Sequence, residues 1–460
     1  MDYFTTKPRR MPSAKPALSF SQIINMNVGF FGIQYSFGLQ QTAINPLYTF
    51  LHASPEELPM LNLAGPVTGL LVQPIIGAMS DRTWHPRWGR RKPYFLVGAI
   101  LCSLALFAFP FSRELWMAVG LLWILDAGNN TAMEPYRAFI ADKLPASQRA
   151  TGFLTQSFFT GLGITLANLS LFFFQQIITG ETTTADGRAG IPYWVFGSFF
   201  VGAVCSIGSV LWSTSSTPEI PPTESELAAL RAKPGGILEP FREILSAIRD
   251  MPAVLWQLAL VYLFQWYAMF CYWQYISHSI AKSVWNTTAE ANPALYQEAV
   301  GWTGLVNGFY NIVTFLSAFA LVGMARRHSA RTVHVVCLLM ASAALLALPH
   351  IGNKYILFVP MVGFGIAWAS MMGVPYIMVV NSIPKERYGV YMGIVNMMIV
   401  VPMIIQTMSF GRVYESFLGK DPARVMTFAG VLLLLAALAT LRIRTSEAHE
   451  EIESPMAVGH

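Results

Sequence analysis

The sequence predicts an all-α membrane protein whose twelve transmembrane helices form two pseudo-symmetric six-helix bundles. Of its 460 residues, 54% are hydrophobic and only 12% are charged, whereas about 25% of the residues in a soluble domain are charged. Apolar stretches close to the roughly 20 residues that a helical span requires recur along the whole chain. A faint internal repeat relates the first half of the chain to the second.

Each span is predicted from its own apolar stretch, between segments rich in charge, Pro or Gly. The approximate bounds are Phe20–Phe50, Leu58–Ser80, Pro93–Phe111, Leu115–Ala141, Thr151–Ile178, Tyr193–Trp212, Val254–Ile280, Ala299–Met324, Thr332–Leu348, Tyr355–Asn381, Tyr388–Tyr414 and Val425–Leu441. The first of these spans is too long and too polar for a cleaved signal peptide, so we expect it to be retained.

The basic residues predict the orientation in the membrane. Lys7, Arg9, Arg10 and Lys15 precede the first span, and most other Lys and Arg residues fall on the same side of the membrane. The residues that fall outside are Arg113, Arg188, Lys282, Lys354, Lys420 and Arg424. The positive-inside rule therefore places both termini in the cytoplasm. The net charge of +5 reflects this topology, and nothing in the sequence indicates nucleic-acid binding.

The internal repeat predicts three segments. Residues 1–213 form an amino-terminal bundle, 214–250 a cytoplasmic linker with a possible amphipathic helix at Leu238–Ile248, and 251–460 a carboxy-terminal bundle. Pro135-Tyr136 is echoed by Pro375-Tyr376. Aligning these pairs sets the ionisable residues of the fourth span against Ile366, Val374 and Ile377, so the charged chemistry belongs to the amino-terminal bundle.

Amides on the first span and thiols in four spans have different predicted roles. Asn27, Gln34, Gln41 and Asn45 share one narrow stripe of the first helix, where interhelical packing and a substrate-facing role are about equally supported. Of these we choose Gln34 as a substrate contact because it lies mid-span.

The cysteines show no metal-ligand spacing, which is typical of small apolar packing residues. They are Cys102, Cys205, Cys271 and Cys337.

The loop after the second span carries the most specific motif in the chain. It runs from Gly77 to Pro93 and combines G-x-x-x-D-R with a later G-R-R, which resembles the loop between the second and third helices of the major facilitator superfamily. An Asp and a basic cluster at a cytoplasmic helix end can pair and hold the inner side shut. The alternative is an ordinary positive-inside loop. The residues predicted to form this cytoplasmic gate are Gly77, Asp81, Arg82, Gly89, Arg90 and Arg91, with Asp142 and Arg149 from the segment after the fourth span.

The fourth span has ionisable groups at membrane depth. Asp126, Asn130, Glu134 and Arg137 share one helical face, since successive residues are about 100° apart. One interpretation is a buried ion pair that fixes helix packing, and the other is a transport pathway. Glu134 and Arg137 are one turn apart and can pair. Asp126 has no cation nearby on its helix, which suits it to bind and release a proton.

The seventh and eighth spans supply candidate substrate contacts from the second bundle. Trp residues near a span end are commonly interfacial anchors, but Gln265 and Trp266 lie near mid-span and favour a cavity role. Asn307 and Asn311 are one turn apart on the next helix. We therefore predict substrate contacts at Gln34, Asn130, Glu134, Arg137, Gln265, Trp266, Asn307 and Asn311, with Asp126 as the coupling residue.

Three segments carry a family resemblance, Gly32–Gln40, Gly69–Ala99 and Leu125–Leu144. They resemble plant sucrose–proton symporters and their bacterial relatives, in the glycoside–pentoside–hexuronide branch of the major facilitator superfamily. The resemblance implies the major facilitator fold and proton-coupled uptake of a glucoside such as sucrose or maltose. It also implies that Asp126 is the proton site and Arg137 a site residue. Glu134 departs from the plant pattern, in which a small residue is expected.

The resemblance further implies a bacterial inner-membrane location, a sugar substrate and no cofactor other than the coupling proton. A monomer embedded in the lipid bilayer is expected. The alternative within transport is a sodium-coupled or uncoupled carrier of another sugar or small polar solute. An enzyme would need a nucleophile or metal constellation, and a receptor would need an output domain; the sequence offers neither at a recognisable spacing.

Overall fold

The computed structural model describes residues 16–221, 239–380 and 388–443. Twelve helices of 17 to 35 residues account for most of this described chain. We label them α1 Phe20–Phe50, α2 Ala64–Arg82, α3 Lys92–Ala108, α4 Leu115–Lys143, α5 Ala146–Ile177, α6 Tyr193–Ser216, α7 Ala253–Trp285, α8 Pro293–Arg327, α9 Ala330–Ala347, α10 Phe358–Val380, α11 Tyr388–Arg412 and α12 Pro422–Thr440. They confirm the predicted all-α fold.

Length and composition alone pick out nine membrane-crossing stretches in the described chain. The three long helices outside that set are α1, α4 and α8. These are helices to which the sequence assigns amides or ionisable groups. Polar residues lower the mean hydropathy of these helices. Such residues are expected in a transporter, because its pathway needs polar surface inside a bundle whose outside is apolar.

Local sequence signals explain where several helices begin. Ser19 caps α1 in a reciprocal pair with Gln22, in which each side chain accepts from the other residue's backbone N–H. Asn292 and Asp421 cap α8 and α12, and each is followed by Pro at the first helical position. The observed starts of α1, α8 and α12 thus follow from capping chemistry, and those of α8 and α12 lie before the predicted Ala299 and Val425.

The helix pairs repeat between the two halves of the molecule, α1–α6 and α7–α12. In the first half, α1 packs on α5 and α6, α3 on α4 and α6, and α2 on α4. In the second half, α7 packs on α11 and α12, α9 on α10 and α12, and α8 on α10. The halves meet where α5 packs on α8 and α2 on α11. This arrangement is the pseudo-symmetry that the internal repeat predicts.

Two smaller features lie outside the twelve long helices. A hairpin pairs Glu181–Thr183 with Ala189–Pro192 in antiparallel register between α5 and α6, and the sequence analysis did not anticipate it. A helix at Glu239–Arg249 matches the amphipathic segment expected in the linker. The Tyr391 hydroxyl donates to the carbonyl of Ala247, so this helix lies against α11.

Candidate functional site

A cavity of about 320 Å³ lies between the two halves. Its size falls in the range of about 300–1,000 Å³ that is typical of small-molecule sites. Its polar lining consists mainly of amides: Gln40, Gln41, Asn45, Asn62, Gln73, Asn130, Gln274 and Asn396. Its aromatic lining consists of Phe37, Tyr262, Trp266, Phe270 and Trp273. The charged lining residues in the described chain are Asp126 and Arg137.

Asp126 is held on the cavity wall by a residue of α1. Its side chain is only 1% exposed, and its Oδ1 accepts a 2.6 Å hydrogen bond from Nε2 of Gln40. Its Oδ2 has no hydrogen-bond partner among the described residues. Gly65 leaves the pair uncovered, because a Cβ there would lie 3.7 Å from both Asp126 Oδ2 and Gln40 Nε2. Gly65 and Gly69 both line the cavity.

A chain of amides crosses the cavity from one half to the other. Asn130 Oδ1 accepts from Gln73 Nε2 at 2.6 Å, and Gln73 Oε1 accepts from Asn396 Nδ2 at 3.1 Å. The Asn130 amide also donates to Thr68 Oγ1 at 3.0 Å. The predicted Asn130 contact therefore lies on the wall, in a network that joins α2, α4 and α11. These groups can exchange their mutual bonds for bonds to a polar solute.

Arg137 marks the inner end of the cavity. Its side chain lines the cavity and is exposed, and its guanidinium lies 3.6 Å from Sδ of Met133. Among the α4 residues that line the cavity, it is the nearest to the carboxy-terminal end of the helix and follows Asp126 by about three turns. The side chain of Glu134 lies outside the described parts of the chain, so its predicted pairing with Arg137 stays a prediction.

Trp266 lies on the cavity wall as predicted, within a cluster of three indoles. Its ring centroid is 6.4 Å from that of Trp273 and 5.9 Å from that of Trp368. Trp266 and Trp273 are seven residues apart and share one face of α7. The resulting apolar surface is suited to pack against a ring face of a bound solute.

Four other predicted substrate contacts lie away from the cavity wall. Gln34 is covered by α5, where a Cβ on Gly163 would lie 3.1 Å from the Gln34 Cβ. Gln265 is fully buried, and neither amide atom has a partner within the described residues. Asn307 accepts from the Tyr272 hydroxyl at 2.7 Å, and Asn311 donates to the Asn307 carbonyl at 2.9 Å. Helical spacing predicts which face carries these amides, but the packing partner decides whether that face reaches a cavity.

The structure brings part of the predicted cytoplasmic gate together. Arg91 Nε donates to Asp142 Oδ2 at 2.9 Å, and Arg91 also donates to Ser80 Oγ at 2.6 Å. Glu219, which the sequence analysis did not select, accepts from the backbone N–H groups of Arg90, Arg91 and Lys92 at 2.8 to 2.9 Å. These contacts join α2, α3, α4 and the segment after α6.

The remaining predicted gate residues contribute less to this cluster. Gly89 adopts a positive φ of 77° beside the Glu219 carboxylate, a position that only glycine fits. A Cβ on Gly77 would meet nothing within 4 Å. The side chains of Asp81, Arg82 and Arg149 lie outside what the structure describes. The visible cluster ties helices of the first half to one another, and its gating role stays a prediction.

Contacts between the halves close the cavity on the outer side. Thr49 Oγ1 lies 3.1 Å from Nε2 of the buried His278, and the amide of Asn45 donates to the Trp273 carbonyl at 3.3 Å. Nearer the surface, Lys420 pairs with Glu56 at 3.0 Å. These contacts join the two halves at the end of the molecule that the predicted topology places outside.

Sequence reasoning missed several cavity residues. Gln40 stands beside the amide stripe of α1, whereas Gln73 and Asn396 lie in helices whose amides the sequence analysis did not select. A search for amides inside apolar spans would have found all three, since such groups are costly in hydrocarbon unless they are partnered.

Several plant and bacterial transporters are similar to this chain. Sucrose transport protein SUT5 of Oryza sativa subsp. japonica is 23% identical over 452 residues, covering 85% of this chain and 82% of its own length. Sucrose transport protein SUC4 of Arabidopsis thaliana is 23% identical over 466 residues, covering 90% and 89%.

Solved structures share the fold at low sequence identity. A D-xylose–proton symporter superposes with a TM-score of 0.63 at 14% identity, covering 92% of this chain and 97% of that chain. The nucleoside transporter NupG superposes with a TM-score of 0.66 at 12% identity, covering 93% and 100%. Residues 26–407 match the sequence profile of the Major Facilitator Superfamily. The chain belongs to this superfamily and is a multi-pass membrane transporter, not an enzyme.

Proposed function

We propose that the protein is a proton-coupled symporter that imports a glucoside disaccharide of the sucrose or maltose type by alternating access. The observation that carries this proposal is the buried carboxylate of Asp126 on the wall of a cavity lined by amides and indoles. A carboxylate at membrane depth is costly while it is charged, and a proton removes that cost. The plant relatives named as sucrose transport proteins support a sugar as the cargo.

The lining of the cavity supports a polyhydroxylated cargo. Amides offer both donors and acceptors, so they match hydroxyl groups, which also do both. Trp266 and Trp273 provide aromatic surface for the ring faces of a sugar. On this proposal Asn130, Gln73 and Asn396 contact the sugar along with Arg137 and Trp266. Glu134 remains a proposed contact, because it lies one helical turn before Arg137 and the two side chains can pair.

The geometry around Asp126 favours a proton over a sodium ion. Sodium sites in transporters typically use carbonyl groups of unwound helix segments, whereas α4 is continuous from Leu115 to Lys143. Asp126 Oδ1 faces an amide donor, Gln40 Nε2, rather than a set of oxygen ligands. Within the described chain, no group of three His, Cys, Asp or Glu residues is placed to hold a metal ion.

We further propose that the protein works as a monomer in a bacterial inner membrane, with both termini in the cytoplasm. The test is uptake of radiolabelled sugars by liposomes that contain the purified protein. A panel of sucrose, maltose, glucose, xylose and a nucleoside is supplied with an imposed pH gradient, an imposed sodium gradient or neither. We expect uphill accumulation of a disaccharide only with the pH gradient.

Other outcomes separate the alternatives. Accumulation with a sodium gradient alone identifies sodium coupling. Equilibration without accumulation under every gradient identifies an uncoupled carrier. Accumulation of the nucleoside and of no sugar contradicts the assignment of the cargo.

A further inference from the structure

Gln40 stands beside the carboxylate of Asp126 on the cavity wall. It lines the cavity, and its Nε2 donates to Asp126 Oδ1 at 2.6 Å. Its Oε1 is 3.5 Å from the amide of Asn129, a long contact that leaves this end weakly held. Gln40 therefore has one strong hydrogen bond, to Asp126. If that bond weakens, the Gln40 amide can donate to a solute in the cavity instead.

We infer that Gln40 is the positioning residue that links proton uptake at Asp126 to sugar binding. This inference rests on the proposed function and adds to it the group that transmits the coupling. When Asp126 is ionised, its carboxylate holds the Gln40 N–H in a charge-assisted bond. When a proton adds to the carboxylate, the acceptor becomes neutral, and the Gln40 amide is released to donate to a sugar hydroxyl.

The expected size of the coupling follows from the two kinds of hydrogen bond. Bonds to charged groups are roughly twice as strong as bonds between neutral groups. The difference corresponds to a change of about tenfold in an equilibrium constant. Protonation should therefore tighten sugar binding about tenfold through this exchange. By linkage, bound sugar favours the protonated carboxyl by the same factor.

Few other groups around Asp126 could make sugar binding depend on pH. The titratable side chains that face it are Tyr48 from α1 and Cys102 from α3. A phenol and a thiol keep their protons between about pH 6 and pH 7.5 in their ordinary state. On the side of α2, Gly65 presents no side chain. Arg137 is permanently charged and lies three turns away on the same helix.

The test measures the dissociation constant for sugar at about pH 6 and about pH 7.5 by titration calorimetry of the full chain in detergent. Three proteins are compared: the unaltered chain, Gln40→Leu and the matched variant Gln41→Leu. Gln41 also lines the cavity and is the next residue of α1, but the described hydrogen bond to the Asp126 carboxylate comes from Gln40. We expect about three- to fivefold tighter binding at the lower pH in the unaltered protein, because an interval of about 1.5 pH units covers only part of the tenfold linkage.

In Gln40→Leu the dissociation constant should differ less than about 1.5-fold between the two pH values, because the exchangeable bond is gone. In Gln41→Leu binding should weaken at both pH values, while the ratio between them stays that of the unaltered protein. Gln40→Asn replaces the leucine variant if that one does not fold. Its side chain keeps the amide but is one methylene group shorter, so the same loss of pH dependence is expected.

A pH dependence as large as that of the unaltered protein in Gln40→Leu or Gln40→Asn would overturn the role of Gln40 while leaving proton coupling intact. Sugar binding by the unaltered protein that does not change with pH would overturn the proposed proton coupling itself, and this inference with it. The two failures are therefore distinguishable in one set of titrations.

Discussion

At the scale of single residues, one carboxylate gives the cavity its chemical character. Asp126 is buried on the wall, accepts one short bond from Gln40 and has a second oxygen without a partner in the described chain. A buried group that is incompletely paired is costly for stability. Its presence in a helix core is more readily explained by coupling than by packing.

The first prediction concerns Asp126→Asn. The amide keeps the shape and the bond to Gln40 but does not titrate, so uphill accumulation driven by a pH gradient should fall to the level of protein-free liposomes. Exchange of labelled for unlabelled sugar should persist, because exchange needs no net proton movement. Both are measured in the same vesicles.

Asp186→Asn is a matched control on the outer hairpin. The Thr184 hydroxyl, followed by Arg188, lowers the pKa of Asp186 to about 2. Its carboxylate is therefore charged above that pH and does not titrate in the range of the assay. Normal accumulation is expected in this variant. If Asp126→Asn accumulated sugar as well as Asp186→Asn does, the coupling proton would bind elsewhere.

At the scale of helices, backbone contact between α1 and α6 is the tightest feature of the first half. A Cβ on Gly32 would lie 2.2 Å from the Cys205 carbonyl oxygen and 2.3 Å from Ser209 Oγ. Backbone atoms do not move aside as flexible side chains do. We therefore expect Gly32→Ala to force the helices apart and to destabilise the protein by about 1–3 kcal/mol.

The measurement is the midpoint of thermal unfolding in detergent. Gly208→Ala is the matched control, because Gly208 lies on α6 and a Cβ there would meet nothing within 4 Å. Its midpoint should match that of the unaltered protein or exceed it slightly, since Ala favours the helix. Equal midpoints for the Gly32 and Gly208 variants would show that α1 and α6 are not in backbone contact.

A second prediction at this scale concerns the carboxylate that organises the loop between α2 and α3. Glu219 accepts from the N–H groups of Arg90, Arg91 and Lys92, and a charged acceptor at a helix start is stabilised by those donors. Glu219→Gln should speed hydrogen exchange at these three amides, because a neutral acceptor binds them more weakly. Mass spectrometry of the exchanged peptide checks the result.

Glu181→Gln provides the comparison for that experiment. Glu181 accepts from Gln297 at the predicted outer end of the molecule, so its replacement should leave exchange in the loop unchanged. Unaltered protection of the three amides in Glu219→Gln would mean that the loop holds its shape without the charge on Glu219.

At the scale of the whole molecule, the two halves are joined outside and separated by the cavity inside. The buried bond between Thr49 and His278 contributes more to outer closure than the exposed pair of Glu56 and Lys420, because exposed ion pairs are screened by water and salt. Alternating access requires these outer contacts to break when the halves rock.

We expect Thr49→Val to raise the outward-open population about fivefold or more, since His278 loses a buried partner at a cost of about 1 kcal/mol or more. Distances between spin labels at Glu57 and Phe417, both exposed on the outer side, report that population. Glu56→Gln should shift it less. An unchanged distance distribution in Thr49→Val would remove the buried bond from the closing mechanism.

The sequence by itself determined the fold of this protein, and the tertiary structure decided the membership of its cavity. Apolar length predicted most of the membrane-crossing helices, because a bilayer imposes about the same thickness on each of them. The face shared by Asp126 and Asn130 followed from helical periodicity within one segment. Which amides reach the cavity depended on neighbours distant in sequence: α5 covers Gln34, whereas Gln40 and Asn396 are left open to it. Periodicity gives a direction around one helix, but only packing between helices decides what lies in that direction.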